Sequence, residues 1–341
     1  MKRSYSLAEL TQYLDAELVG DPQYEIRALA TLQTAGANQL SFIANPTYQK
    51  YLAQTQAGAL LIRSEFVDQY AGHKLIVANP YLAYARVSAL FGITTTGEPG
   101  IHPTAVIGQD CQLGQGISLG ANCVVGNGTT LGDGVVIGAG TVIGEDCLLG
   151  ARTRLAANVT LYHGVSLGED CILHSGCVLG ADGFGFAPSP TGWVKIHQLG
   201  GVVIGNRVEI GASTCIDRGA LDDTFIDDGV IIDNLVQIAH NVRIGKNTAI
   251  AGHTAIAGST SIGANCTIAG AVGIVGHLQI TDGVHITAMT LVTHSIDKPG
   301  SYSSGTPLDQ TRDWRKNAAR FRQLDSLANR LIKLERSQGT E

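Results

Sequence analysis

An aliphatic residue recurs at every sixth position from Ile107 through Leu113, Leu119, Val125, Leu131, Ile137, Ile143, Leu149, Leu155, Leu161, Leu167 and Leu173 to Leu179, thirteen hits without a miss. After a break the period resumes at Ile204, Ile210 and Ile216, slips by four residues, and runs again from Ile226 to Ile286. An amphipathic helix repeats every ~3.6 residues and a half-buried strand every two or so, so neither fits. The following position is commonly glycine (Gly108, Gly114, Gly120, Gly126, Gly132, Gly138), which accepts backbone geometry that a Cβ would obstruct. A sustained period of six with this glycine is the hexapeptide signature of a parallel β-helix. Each hexapeptide supplies one short strand and a corner, three close a coil of eighteen residues, and the aliphatic side chain points inward; the twenty-seven hexapeptides predict nine coils.

The period divides the chain into residues 1–100, which lack it, a solenoid over 101–296, and a tail over 297–341. In the first segment Ser6 and Glu9 form a capping-box start for a helix through Leu10 and Leu14. Asn79 and Pro80 are an N-cap and first-turn pair for a second helix through Leu82, Tyr84, Val87, Leu90 and Phe91. Ala59–Ile62 and Leu75–Ala78 read as buried strands, so this is a small α/β domain. In the tail, Pro307 to Arg336 reads as one helix with Trp314, Ala318, Phe321, Leu324, Leu327, Leu331 and Leu334 along a stripe, expected to pack on other copies of the chain.

Formal net charge is −6, and residues 310–336 hold eight Lys/Arg against three Asp/Glu, so the basic charge is concentrated at the C-terminus. Arg315, Lys316, Arg320 and Arg322 are a candidate docking patch for an acidic partner, with a solvated face as the alternative. The N-terminus starts with Lys2-Arg3 but reaches no apolar core of a signal peptide, and no apolar run approaches the ~20 residues of a membrane span. A cytoplasmic protein is expected. Of seven cysteines, six (Cys111, Cys123, Cys147, Cys171, Cys177, Cys266) fall four residues after an inward aliphatic, the small-residue slot of the hexad, which argues for buried small hydrophobes over metal or redox roles.

Three stretches carry candidate chemistry. Ser41 to Tyr48 places Phe42, Asn45 and Tyr48 on a loop, readable as turn chemistry or as a clamp in which aromatic faces stack on a base and an amide reads its edge. The break at 185–203 follows Phe184-Gly185-Phe186, and an insertion must leave the wall of the coil, so Phe184 and Phe186 are expected in a lid or ligand contact. The third is Asp233-Asn234-Leu235-Val236-Gln237-Ile238-Ala239-His240-Asn241. His240 takes an outward position of its hexad; eighteen residues on is Gly258, and eighteen more reach Gly276 beside His277, so a proton acceptor would share an edge with glycine N–H groups.

These segments, with Gln198 to Gly205, Ile216 to Ala220 and Ser303 to Leu308, resemble in order the motifs of the UDP-3-O-(3-hydroxyacyl)glucosamine N-acyltransferases of lipid A biosynthesis, over nearly the full length. The resemblance implies a left-handed parallel β-helix, mainly β, with an N-terminal uridine-binding α/β domain and a C-terminal helix. It implies a homotrimer with sites between prisms, acyl carrier protein as donor and UDP-3-O-acyl-glucosamine as acceptor, with no metal, cofactor or nucleic acid. Residue by residue, His240 resembles the general base, Gly258 an oxyanion donor, and His277 a positioning group. Phe42, Asn45 and Tyr48 resemble uracil contacts; Asn234 and Gln237 substrate contacts; and Asp233 a group orienting His240. Met289, Leu291 and Thr293 on the terminal coils would limit acyl length.

Two alternatives stay open, an O-acyltransferase on a nucleotide sugar and a non-catalytic binding solenoid. A zinc carbonic anhydrase of this fold would need two histidines five residues apart, a spacing absent among the ten here.

Overall fold

The computed structural model describes residues 4–92 and 98–338. Contacts divide the chain into two compact units, Met1–Thr95 and Thr96–Glu341.

In the first unit, helix α1 (Leu7–Leu14) begins at Ser6, whose side chain accepts from the Glu9 N–H while Glu9 reaches back to the Ser6 backbone, the capping box expected from sequence. Helix α2 (Pro80–Phe91) begins at Asn79, whose side chain accepts from the Leu82 N–H. A five-stranded sheet lies in the order Glu17–Val19, His73–Ile76, Ala59–Ile62, Gln39–Phe42, Ala28–Leu29, parallel except at its first pair. Alternate side chains feed two cores: Leu40, Ala59 and Leu61 pack with α1 and α2, whereas Ile43, Leu60 and Ile62 pack with Leu32, Leu52 and Tyr70. Two expectations shift. The strand foreseen over 75–78 spans His73–Ile76, because Val77 still bonds the Ile62 carbonyl but Asn79 already caps α2. Leu82 points outward and is 49 % exposed; Ala83 takes the inward place.

The second unit is the parallel β-helix. Its strands form three sheets of nine, eleven and ten, making about ten coils where nine were foreseen. The surplus is three strands at the ends: Gly100–Ile101 pairs with Ser118–Leu119, Leu291–Val292 with Gly273–Ile274, and Gly300–Tyr302 with Val284–Ile286, all outside the period from Ile107 to Ile286. Strands pair at eighteen residues, as Val124 with Val142. Past the first break the offset is 37, Val178 with Cys215, and past the slip it is 22, Cys215 with Gln237, so nineteen and four residues leave the wall, with a local register shift between Leu179 and Ala181 at the first break. The long insertion folds as an antiparallel hairpin, Phe186–Ser189 with Gly192–Lys195.

The fourth-place slot explains the cysteines more fully than hydrophobicity does. Cys123, Cys147, Cys171, Cys177 and Cys266 are buried, and each Sγ lies 2.9–3.2 Å from a corner carbonyl of the next coil (Gly138, Tyr162, Gly205, Gly211, Thr281). Threonine makes the same bond elsewhere, as Thr129 to Gly144 at 2.9 Å and Thr153 to Gly168 at 2.8 Å. The slot calls for a small side chain with one donor, and burial pushes the thiols of Cys147, Cys171 and Cys177 up, the last to about 11.

The tail is two helices rather than one: α3 (Thr311–Phe321) and α4 (Leu324–Gln338). Between them Gln323 bonds back only three residues, to Arg320 at 2.8 Å, a tightened turn that no breaker residue announces. The apolar stripe is uncovered, from Trp314 at 46 % to Phe321 at 69 % exposed. Among the described residues no helix is long and apolar enough to cross a membrane.

Candidate active site

One corner of the solenoid, two residues after each inward aliphatic of one sheet, carries His163, Ala181, Arg218, His240, Gly258 and Gly276 on successive coils. His240 is half-buried there. A Cβ at Gly258 would fall 2.7 Å from both Cε1 and Nε2 of His240, and one at Gly183 would fall 2.7 Å from the His240 Cβ. The imidazole is thus seated between two glycines, and a side chain at Gly258 would displace it. Coil arithmetic placed Gly258 against the ring, and it is there.

The ring's other nitrogen is held by its sequence neighbour. His240 Nδ1 lies 3.0 Å from Asn241 Oδ1. That oxygen also accepts from the Ala220 N–H at 3.0 Å, while Asn241 Nδ2 donates to the Asp222 carbonyl at 2.7 Å, so the amide has one allowed orientation. Oδ1 is an acceptor, Nδ1 must carry the proton, and in the neutral ring Nε2 presents its lone pair at Gly258. Among the described residues no acceptor takes the Gly258 N–H, whereas its carbonyl accepts from the His277 N–H at 3.0 Å. His277 is exposed with left-handed backbone, φ 62°.

The carboxylate beside His240 is Asp217, not Asp233. Asp217 is half-buried and accepts from Gln237 Nε2 at 3.0 Å; burial lifts its carboxyl above the ordinary 3.8, against the pull of that hydrogen bond and of the His240 charge. Asp233 sits at the preceding corner of the triangle, where Oδ1 accepts from the Asn234 N–H at 2.8 Å and Oδ2 from the Gly252 N–H at 2.9 Å. Both oxygens serve its own corner, so within the chain it does not orient His240. Asn234 is also used structurally, its Oδ1 accepting from the Ala212 N–H at 2.6 Å. Asp233 and Asn234 line instead a groove of about 610 Å³ with His174, Glu209, Thr267 and His285.

The insertion is fastened beside His240. Arg218, 4 % exposed, donates to the carbonyls of Gly200 (2.7 Å) and His163 (3.1 Å) and approaches the His163 ring at 2.5 Å. Asp182, its carboxyl held below the usual range by Lys195, ties the second strand of the hairpin to the segment that precedes the hairpin at 2.5 Å. Gln198 is buried; its Nε2 donates to the Ile196 carbonyl at 3.1 Å, and among the described residues its Oε1 has no hydrogen-bond partner. A Cβ at Gly183 would meet that oxygen at 2.9 Å as well as His240. Phe184 (89 % exposed) and Phe186 stand 5.2 Å apart on the hairpin with Trp193 also exposed. On the outer face, one column runs Gln237, Ala255, Gly273, Leu291 over successive coils, small residues closed by an exposed leucine; Met289 and Thr293 are exposed near its end.

The first unit has its own cavity, of about 610 Å³, lined by Thr31–Gln33, Ser41–Asn45, Tyr48, Arg63, Asn79 and Tyr81. These follow the carboxyl ends of the four parallel strands, where open α/β sheets bind ligands. Phe42 stacks on Tyr84 at 4.2 Å and 21°, and Tyr48 is 46 % exposed. Asn45 shows the turn chemistry foreseen for it, Oδ1 capping a 3-10 turn by accepting from the Thr47 N–H at 2.9 Å, and among the described residues its Nδ2 has no hydrogen-bond partner. The tail's Arg315, Lys316, Arg320 and Arg322 are exposed and form no ion pair among the described residues.

The sequence had named His240, Gly258 and the cavity aromatics. It missed Asp217 and the roles of Asn241, Gln198 and Arg218; following the corner back through the four-residue slip would have placed Arg218 under His240 and Asp217 beside it.

The sequence relatives point to one family. A model of UDP-3-O-(3-hydroxymyristoyl) glucosamine N-acyltransferase matches residues 23–90, and a model of the bacterial transferase hexapeptide matches 110–145, 128–161 and 140–181. The UDP-3-O-acylglucosamine N-acyltransferase of Cellvibrio japonicus (strain Ueda107) is 80 % identical over 100 % of both chains. That of Pseudomonas fluorescens (strain Pf0-1) is 51 % identical over 99 % of this chain and 97 % of its own. Among solved structures, Arabidopsis UDP-N-acetylglucosamine acyltransferase matches with a TM-score of 0.55 and 23 % identity, over 60 % of this chain and 71 % of its own, a likeness of fold.

Proposed function

Because the chain belongs to the UDP-3-O-acylglucosamine N-acyltransferase family, we propose that it transfers a 3-hydroxyacyl group from acyl carrier protein to the 2-amine of UDP-3-O-acyl-glucosamine in lipid A biosynthesis, with His240 as general base. The observation that carries this is the seating of His240: Asn241 holds the proton on Nδ1, and the basic Nε2 faces Gly258. As the amine nitrogen attacks the thioester carbonyl, Nε2 takes its proton. The Gly258 N–H steadies the oxyanion, and collapse breaks the C–S bond and releases the carrier thiol with a proton. Asp217 offsets the positive charge that His240 gains in this step. The N-terminal cavity takes the uridine end through Phe42, Asn45 and Tyr48, and the acyl chain follows the Gln237–Leu291 column toward Met289 and Thr293. His277, Phe184 and Phe186 contact substrate at the same edge. The enzyme works in the cytoplasm as a homotrimer, with α3 and α4 covering their apolar stripes on one another and presenting Arg315, Lys316, Arg320 and Arg322 to the acidic carrier protein.

The test follows amide product by mass spectrometry with purified donor and acceptor. His240→Ala should lower kcat by about 10³-fold, the usual range for a lost general base, with fold and oligomeric size unchanged. Equal turnover in both proteins would remove His240 from its role, and no product from the wild type across donor lengths would remove the activity.

A further inference from the structure

Among the described residues three buried side-chain polar atoms lack a hydrogen-bond partner, and two of them, Ser41 Oγ and Arg63 Nε, line the N-terminal cavity. Native chains rarely leave such groups unpaired, since an unmade buried bond costs more than a made one returns. Ser41 is 2 % exposed on the strand Gln39–Phe42, and a hydroxyl there is no better than alanine for packing. Arg63 follows the next strand; among the described residues it is the only charged one lining the cavity, and its guanidinium reaches Glu65 only at 3.5 Å and in solvent.

We propose that these two groups complete the nucleotide site: Ser41 Oγ bonds the polar edge of the pyrimidine, and the Arg63 guanidinium, presenting Nε and an adjacent N–H side-on, binds a phosphate oxygen of the diphosphate. The inference rests on the uridine reading of this cavity and adds the residues that read the base from below and the charge from the side. Asn45 cannot do this alone, because its carbonyl oxygen is spent on the Thr47 N–H. Among the described residues no carboxylate lines the cavity to oppose the diphosphate, and planar, donor-only guanidinium suits a phosphate edge better than any neutral neighbour could.

Titration calorimetry of the full chain with uridine and with UDP tests it. Ser41→Ala should weaken both ligands by the same factor, about tenfold, while leaving the melting temperature of the free protein unchanged or higher, because an unpaired hydroxyl is removed. Arg63→Gln should leave uridine binding unchanged and abolish most of the gain of UDP over uridine, a loss of about tenfold or more that shrinks with added salt. Wild-type affinities in both variants, with binding still lost in Asn45→Ala, would overturn the proposal and keep the uridine reading. Failure of the folded wild type to bind UDP would overturn both.

Discussion

Asp217 is held at a cost in stability. Its folded carboxyl titrates above the ordinary 3.8, chiefly because burial disfavours the charged form. A raised value means that its contribution to stability is present in full below pH 3.8 and is lost as pH rises through the folded value, so at neutral pH the ionised group is destabilising. Asp217→Asn should therefore melt higher than wild type at pH 7, the difference closing as pH falls toward 3.8, and should at the same time lower kcat by about tenfold through loss of the charge facing His240. Calorimetric melts against pH beside initial rates check it; a variant that is both less stable and fully active would contradict the assignment. Legibility differed between these neighbours. Gly258 could be placed by adding eighteen because no insertion separates it from His240. Asp217 lies across the four-residue slip, whereas Asp233 is nearer to His240 in sequence but at another corner.

At the scale of the coil, the fourth-place donor is a repeated element. Cys123 bonds the Gly138 carbonyl at 3.1 Å where Thr129 and Thr141 bond Gly144 and Ala156 at 2.9 and 3.0 Å. Cys123→Thr should match or exceed wild-type stability, since a hydroxyl is the better donor. Cys123→Val, of similar volume, leaves the carbonyl without that bond and should cost about 1 kcal/mol in urea unfolding. If valine is as good as threonine, the slot selects size alone. The sequence showed the slot's position and its preference for small residues, but Cys and Thr share a property that surfaces only when the next coil's carbonyl is seen above them.

Over the whole molecule, charge is segregated: eight basic and three acidic residues in 310–336, against fifteen basic and twenty-six acidic elsewhere. An acidic carrier protein would be repelled by most of the surface and drawn to the tail. Replacing Arg315 and Lys316 by Glu should raise KM for the carrier substrate about tenfold with kcat unchanged, and the difference should fade as salt is added. A change in kcat alone would place these residues elsewhere in the cycle. Because α3 and α4 have no buried residue, the substitutions should not affect the melting of the solenoid.

The period of six by itself determined the β-helix, since every coil is closed by an inward aliphatic eighteen residues from the next and no other regular backbone satisfies that spacing. It also determined which residues share a corner, which brought His240 to Gly258. Only the tertiary structure decided how the insertions fold and what they touch. The break between α3 and α4 has no residue that marks it. The bond of Asn241 to His240, the clasp of Arg218 on Gly200 and His163, and the unpaired atoms of Ser41, Arg63 and Gln198 depend on where non-repeating segments return against the chain. A repeat propagates its geometry along the sequence, whereas a contact between a loop and a wall is set by closure in space.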